Sequence, residues 1–152
     1  MKYYLFALRP RQWTKNLVVF AAPFFNFEFR SEIWFSASYA FIIFCMISSS
    51  VYLINDSLDI EVDKKHPEKR FRPITSGKVS ISRARTLSTT LFCLCVFFSS
   101  QISSLLTLII LLYFFIQIIY CFKLKNQPIV DIFCIASGFL LRVDFPQHNS
   151  KH

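Results

Sequence analysis

The chain has 152 residues, of which 54% are hydrophobic and 18% aromatic, and its mean hydropathy is +0.45. A soluble domain of this size needs more surface charge, so the composition excludes an ordinary water-soluble globule and points to a membrane protein. The 17 Lys and Arg against 9 Asp and Glu give a formal charge of +8, but these charges sit between apolar runs rather than along a helix face or repeat, which argues against nucleic acid as a partner.

In chain order, the amino terminus "MKYYLFALRPRQWTKN" has too little uninterrupted apolar sequence, and no small-residue cleavage site, for a signal peptide. Residues 16–27, "NLVVFAAPFFNF", are a short uncharged stretch with Pro23 inside; alone they read as re-entrant or interfacial. Residues 33–54, "IWFSASYAFIIFCMISSSVYLI", are uncharged throughout and, at a rise of about 1.5 Å per residue, long enough for a hydrocarbon core of about 30 Å. Residues 86–122 are uncharged too, and the polar patch "SSQISS" at 99–104 divides them into two spans joined by a very short hairpin. Residues 128–143 make a further, slightly short candidate carrying Asp131 and Arg142 near its ends.

Charge placement decides the first segment. If residues 16–27 cross, Lys2, Arg9, Arg11, Lys15, the eight basic residues from Lys64 to Arg85, Lys123 and Lys125 share one side, leaving Arg30, Arg142 and Lys151 on the other. This asymmetry follows the positive-inside rule. The expectation is therefore an all-α polytopic bundle of about five transmembrane helices, an integral membrane protein with its amino terminus and the 56–85 loop cytoplasmic. The five cysteines, Cys45, Cys93, Cys95, Cys121 and Cys134, lie in apolar stretches without a CxxC partner or zinc spacing and read as small hydrophobes. The only glycines are Gly77 and Gly138, so a glycine-rich phosphate-cradling loop is excluded by count and any phosphate must be held by side chains.

The chemistry is concentrated in "NDSLDIEVDKKHPEKRFRPITSG", residues 55–77. On a continuous helix Asp56, Asp59 and Asp63 fall within an arc of about 60°, flanked by Asn55, with Glu61 pointing away. Like charges at these spacings repel, and carboxylates near a membrane core are expensive, so something cationic must offset them. Two candidates exist: neighbouring Lys and Arg, or a divalent metal. Oxygen ligands without His or Cys suit Mg²⁺, which keeps waters and bridges carboxylates to phosphates. The bland alternative is a helix end that has reached water.

"NDSLDIEVD" resembles the first aspartate-rich motif of the UbiA superfamily of intramembrane prenyltransferases. The continuation "KKHPEKRFRPITSG", the start "LRPRQWTKNLVVFAAPFF" at 8–25 and "YCFKLKNQPIVDIFCIASGFLLRV" at 120–143 are similar to the branch containing decaprenyl-phosphate phosphoribosyltransferase. The resemblance implies a nine-helix fold, of which residues 1–143 would be the amino-terminal part. It also implies Mg²⁺-dependent transfer of phosphoribose from phosphoribosyl diphosphate to a polyprenyl phosphate in a bacterial inner membrane. On that pattern Asn55, Asp56, Asp59 and Asp63 hold Mg²⁺ and the diphosphate, while Lys15, Lys69, Arg72 and Lys123 contact substrate phosphates.

Each assignment has a structural counterpart. The run from Lys64 to Arg72 also reads as a juxtamembrane patch attracted to anionic lipid, His66 before Pro67 as a positioning residue, and Asp131 as a helix cap or Lys partner. The polar tail "DFPQHNSKH" at 144–152 departs from the family pattern, and the expectation is a truncated chain that is inactive alone. Two other functions stay open: prenyl transfer from a prenyl diphosphate to an aromatic acceptor, and a non-enzymatic membrane fragment or partner subunit.

Overall fold

A computed structural model describes residues 1–27 and 29–124, and among them there is no strand. In chain order they form α1 (Lys2–Ala7), a 3₁₀ helix (Pro10–Phe20), α2 (Ala21–Phe25), α3 (Ser31–Leu58), α4 (Ile60–Lys64), a 3₁₀ turn (Lys69–Phe71), α5 (Ile81–Ile102), α6 (Ser104–Ile119) and a π-helical turn (Tyr120–Leu124). Three segments, Ser31–Leu58, Ile81–Ile102 and Ser104–Phe122, are long and apolar enough to cross a bilayer. They contain the expected spans at 33–54 and on either side of the 99–104 patch. The expected span at 128–143 and the tail at 144–152 lie outside the described residues.

α3 is the central element. In its most apolar window 61% is buried, against 17% in α5 and 22% in α6. Ala37, Ala40 and the run Ser48, Ser49 and Ser50 give it a small-residue surface, all buried, on which neighbouring backbones come close. Ser50 and Ser88 reciprocate across the α3–α5 seam: each hydroxyl donates to the other residue's carbonyl, at 2.9 and 2.8 Å. Phe44 meets the Tyr113 ring of α6 edge-on, with centroids 5.9 Å apart. Ser80 caps α5, accepting from the Arg83 N–H at 3.4 Å. The predicted hairpin closes on the single residue Ser103, whose extended backbone ends α5 and whose hydroxyl accepts from Leu105 N–H at 3.2 Å to start α6.

The segment at 16–27 does not form the long α-helix that a simple span requires. Eleven residues from Pro10 are wound as a 3₁₀ helix, followed by the five-residue α2 containing Pro23, whose ring denies the helix one backbone donor. A run of this length in 3₁₀ form is unusual. Its period of three puts Trp13, Asn16 and Val19 in one row, and this row meets α3. The Trp13 indole N–H donates to Ser49 Oγ at 3.0 Å, Asn16 Nδ2 donates to Ser48 Oγ at 3.3 Å, and Val19 is fully buried in the main core cluster. Tertiary hydrogen bonds from α3 thus offset what the tighter winding loses in backbone geometry.

A second, smaller core lies at the end of α3 that carries the aspartates. Ala7 of α1, Leu53 of α3, Ile74 and Val79 of the loop, and Ala84 of α5 are buried together. This cluster fixes both the amino-terminal segment and the 65–80 loop against α3.

Candidate active site

α3 ends at Leu58, and Asp59, at φ −93° and ψ 8°, separates it from α4. The shared face of Asp56, Asp59 and Asp63 supposes a helix continuous through the motif; the break occurs within it. Hydrogen bonding nevertheless bridges it: Asp59 N–H donates to the Asn55 carbonyl at 3.0 Å and Asp63 N–H to the Asp59 carbonyl at 2.8 Å. Asp56 and Asp63 are each only 2% exposed. Among the described residues no three of His, Cys, Asp and Glu converge closely enough to hold a metal by themselves; Asp56 and Asp63 are the carboxylates that one guanidinium joins. Asp59 and Asn55 sit half-buried at the junction.

Two arginines satisfy that pair. Arg72 Nη1 donates to Asp63 Oδ2 at 2.6 Å and to Asp56 Oδ1 at 3.3 Å, so one guanidinium joins both carboxylates. Arg72 is held for this by its surroundings: preceding Pro73 it adopts the extended conformation that proline imposes, φ −57° and ψ 144°, and Ile74 two residues on is buried in the second core. Arg9 grips Asp56 from the other side, Nε donating to Oδ2 at 3.2 Å and Nη2 to Oδ1, the two-pronged geometry in which arginine binds carboxylate most strongly. Its guanidinium also lies 5.0 Å from the centroid of the Tyr52 ring.

Arg9 was not among the site residues legible in the sequence. Its backbone is left-handed, φ 53° and ψ 60°, a region uncommon for any residue with a Cβ and disfavoured again by the proline that follows. Such strain persists where surrounding contacts over-determine it; here those contacts are the ion pair to Asp56 and the ring of Tyr52. The available signal was the Arg-Pro dipeptide of "LRPRQ", but nothing local pairs residues 47 positions apart.

Lys15 and Lys69 are exposed and neither pairs with Asp56 or Asp63. The side chain of Lys123, within Tyr120–Leu124, lies outside the described residues. His66 has a positioning role: its Nδ1 accepts from the Glu68 and Lys69 N–H groups at 3.2 and 3.3 Å. Glu61 points away, as predicted, in a solvated pair with Lys64 at 2.8 Å, and the hydrogen bond from that lysine holds its carboxyl below the usual range.

The donor set fits a hard divalent cation in one respect that decides what else must come with it. Asp56 and Asp63 offer buried oxygens to a common point, now taken by Arg72 Nη1, as Mg²⁺ prefers. Two guanidiniums already balance these two carboxylates, so a dication enters favourably only together with an anion. Beside the pair is a cavity of about 590 Å³ bounded by Asp56, Arg9 and Arg72.

Residues 17–143 match the UbiA prenyltransferase family. The chain is 41% identical over 142 residues to decaprenyl-phosphate phosphoribosyltransferase of Mycolicibacterium smegmatis, covering 90% of this chain and 44% of that protein. It is 38% identical over 141 residues to the same-named protein of Corynebacterium glutamicum, covering 90% and 42%. Digeranylgeranylglyceryl phosphate synthase of Sulfurisphaera tokodaii is 37% identical over 97 residues, 64% of this chain and 34% of that one. A solved structure titled for digeranylgeranylglyceryl phosphate synthase in membranes superposes with a TM-score of 0.75 at 23% identity, over 93% of this chain and 51% of that one. The chain thus spans less than half the length of the curated relatives it matches.

Proposed function

The chain belongs to the UbiA prenyltransferase family, and from that premise we propose that it serves Mg²⁺-dependent transfer of phosphoribose from phosphoribosyl diphosphate to a polyprenyl phosphate. The observation carrying this reading is the pair of carboxylates Asp56 and Asp63, buried at a helix end and joined by Arg72. The named activity of the phosphoribosyltransferase relatives supports the choice of donor. It is an integral membrane protein by family and by its three apolar helices, and the basic 64–85 stretch favours placing the acidic end of α3 on the cytoplasmic face.

In this reading an oxygen of the acceptor phosphate forms a bond to the anomeric carbon of the ribose, while the bond from that carbon to the diphosphate oxygen breaks and the diphosphate leaves with the electron pair. The nucleophile is already anionic at neutral pH, so no general base is needed. Asp56 and Asp63, with Asn55 and Asp59 beside them, would hold Mg²⁺. When bound, the metal supplies Lewis-acid neutralisation of the diphosphate. Arg72 and Arg9 hold the two carboxylates near each other before substrate arrives, and they add positive charge where the leaving group develops negative charge. The apolar faces of α5 and α6 receive the lipid chain.

The test is equilibrium binding to the purified chain in nanodiscs with Mg²⁺. Phosphoribosyl diphosphate is expected to bind, geranyl diphosphate to compete at least ~10-fold more weakly, and Asp63→Asn or chelation of the metal to remove most of the affinity. Preference for geranyl diphosphate overturns the choice of donor in favour of prenyl transfer. Failure of both to bind in a metal-dependent way overturns the enzymatic reading and leaves a non-enzymatic membrane subunit.

A further inference from the structure

The cavity beside Asp56 carries more positive charge than the aspartates require. Arg9, Arg11, Arg72 and Lys78 line it against two carboxylates, Asp56 and Glu68. Arg9 and Arg72 are engaged by the buried acids, whereas Arg11 and Lys78 form no ion pair with a carboxylate among the described residues. The Lys78 ammonium is held instead 4.7 Å from the centroid of the Tyr3 ring.

The cavity is also built rather than accidental. One wall is the amino-terminal segment, the other the 72–78 loop, and they are locked together by Ala7, Ile74 and Val79 in the second core. Arg83 Nη1 donates to the Tyr4 hydroxyl at 3.2 Å, tying the same segment to α5. Arg9 and Arg72, held by the buried acids, lose little entropy when a ligand binds, and their guanidinium forks beside the exposed Arg11 and Lys78 match the several oxygens of a phosphate.

We propose that this cavity is a subsite for a phosphate monoester, a phosphate of donor or acceptor other than the diphosphate that leaves at Asp56 and Asp63. The inference rests on the function proposed above, which puts a diphosphate at those carboxylates and so calls for a separate place for any second phosphate. Two groups have this chemistry: the sugar phosphate of the donor and the phosphate of the lipid acceptor. Among the described side chains that the motifs mark as phosphate ligands, Lys15, Lys69 and Arg72, only Arg72 reaches the cavity; Arg11 and Lys78 come from outside that set.

The test uses the 152-residue chain in phosphatidylcholine nanodiscs, which carry no net surface charge, titrated separately with inorganic phosphate, ribose 5-phosphate and geranyl phosphate. Arg11→Ala and Lys78→Ala are each expected to weaken phosphate binding about 5- to 10-fold. Lys78→Arg restores it, Lys64→Ala changes nothing, and the far-ultraviolet helical signal is the same in all. Loss for ribose 5-phosphate alone assigns the subsite to the donor, loss for geranyl phosphate alone to the acceptor, and loss for both to the shared phosphate; each supports the inference. Equal affinity in wild type, Arg11→Ala and Lys78→Ala overturns it, as does an equal loss in Lys64→Ala or no binding of any of the three probes. A separate titration of wild type with Mg²⁺ and inorganic diphosphate judges the proposed function: its failure removes that reading, while the phosphate titrations judge the subsite.

Discussion

Arg72→Ala is the most informative single change in this protein. It removes the group 2.6 Å from Asp63, which is 2% exposed, and one of the two arginines holding Asp56. Breaking a buried pair by deleting one partner costs about 3–5 kcal/mol. The Arg72 side chain is itself 23% exposed, so water reaches the vacated position, and the discounted expectation is a loss of about 2–4 kcal/mol. Arg72→Lys keeps the charge but not the planar fork and should lose about 1–2 kcal/mol. The assay is equilibrium unfolding in mixed micelles, followed by fluorescence of the two tryptophans, Trp13 and Trp34. Adding Asp63→Asn to Arg72→Ala removes the stranded charge, so the double variant should recover at least ~1 kcal/mol relative to additivity. A loss below ~0.5 kcal/mol in Arg72→Ala, or strict additivity, would refute the claim that Arg72 holds a buried acidic pair together.

Three other outcomes follow from the packing and the site. Ser88→Val inserts bulk into the α3–α5 seam and deletes the reciprocal bonds to Ser50, for an expected loss of about 1–3 kcal/mol in the same unfolding assay; Ser88→Ala should lose less. Trp13→Phe keeps the ring but leaves Ser49 without the indole donor, lowering stability by about 0.5–1.5 kcal/mol. Lys15→Ala and Lys69→Ala, at exposed positions away from the carboxylates, should change Mg²⁺–diphosphate affinity less than ~2-fold, against at least ~10-fold for Arg72→Ala, measured by calorimetric titration.

Hydropathy and length were enough to find α3, α5 and α6, because a helix that crosses a bilayer has few other compositions available to it. The break between α5 and α6 was legible for a related reason: a polar run inside an apolar one marks a turn between spans, and Ser103 makes that turn. The 3₁₀ helix was hidden because its stabilising partners, Ser48 and Ser49, lie in a different element. At the α-helical period Trp13, Asn16 and Val19 spread over an arc of about 120° instead of lining up in one row. At the site, the motif brought forward Asp56, Asp63 and Arg72, which the fold draws together, but charge alone could not separate them from Lys15 and Lys69. Helix phase makes that distinction: Lys15 is one step off the Asn16 row and points outward. Arg9 was beyond reach because its role depends on a carboxylate far along the chain.

The tight winding of the Pro10–Phe20 segment also works as a ruler. Arg9, just before it, is fixed at Asp56, while Phe20 at its far end packs on Phe41 with centroids 5.6 Å apart. From Phe41 to Asp56, α3 advances about 22 Å at 1.5 Å per residue. The 11 residues from Pro10 to Phe20 match that at about 2.0 Å each, whereas wound as an α-helix they would fall about 5 Å short. Both ends stay attached because the segment is stretched, so the distance between the acidic cluster and the apolar core is set by helix type as well as by residue count. Inserting or deleting one residue here therefore shifts the guanidinium at Asp56 by about 2 Å.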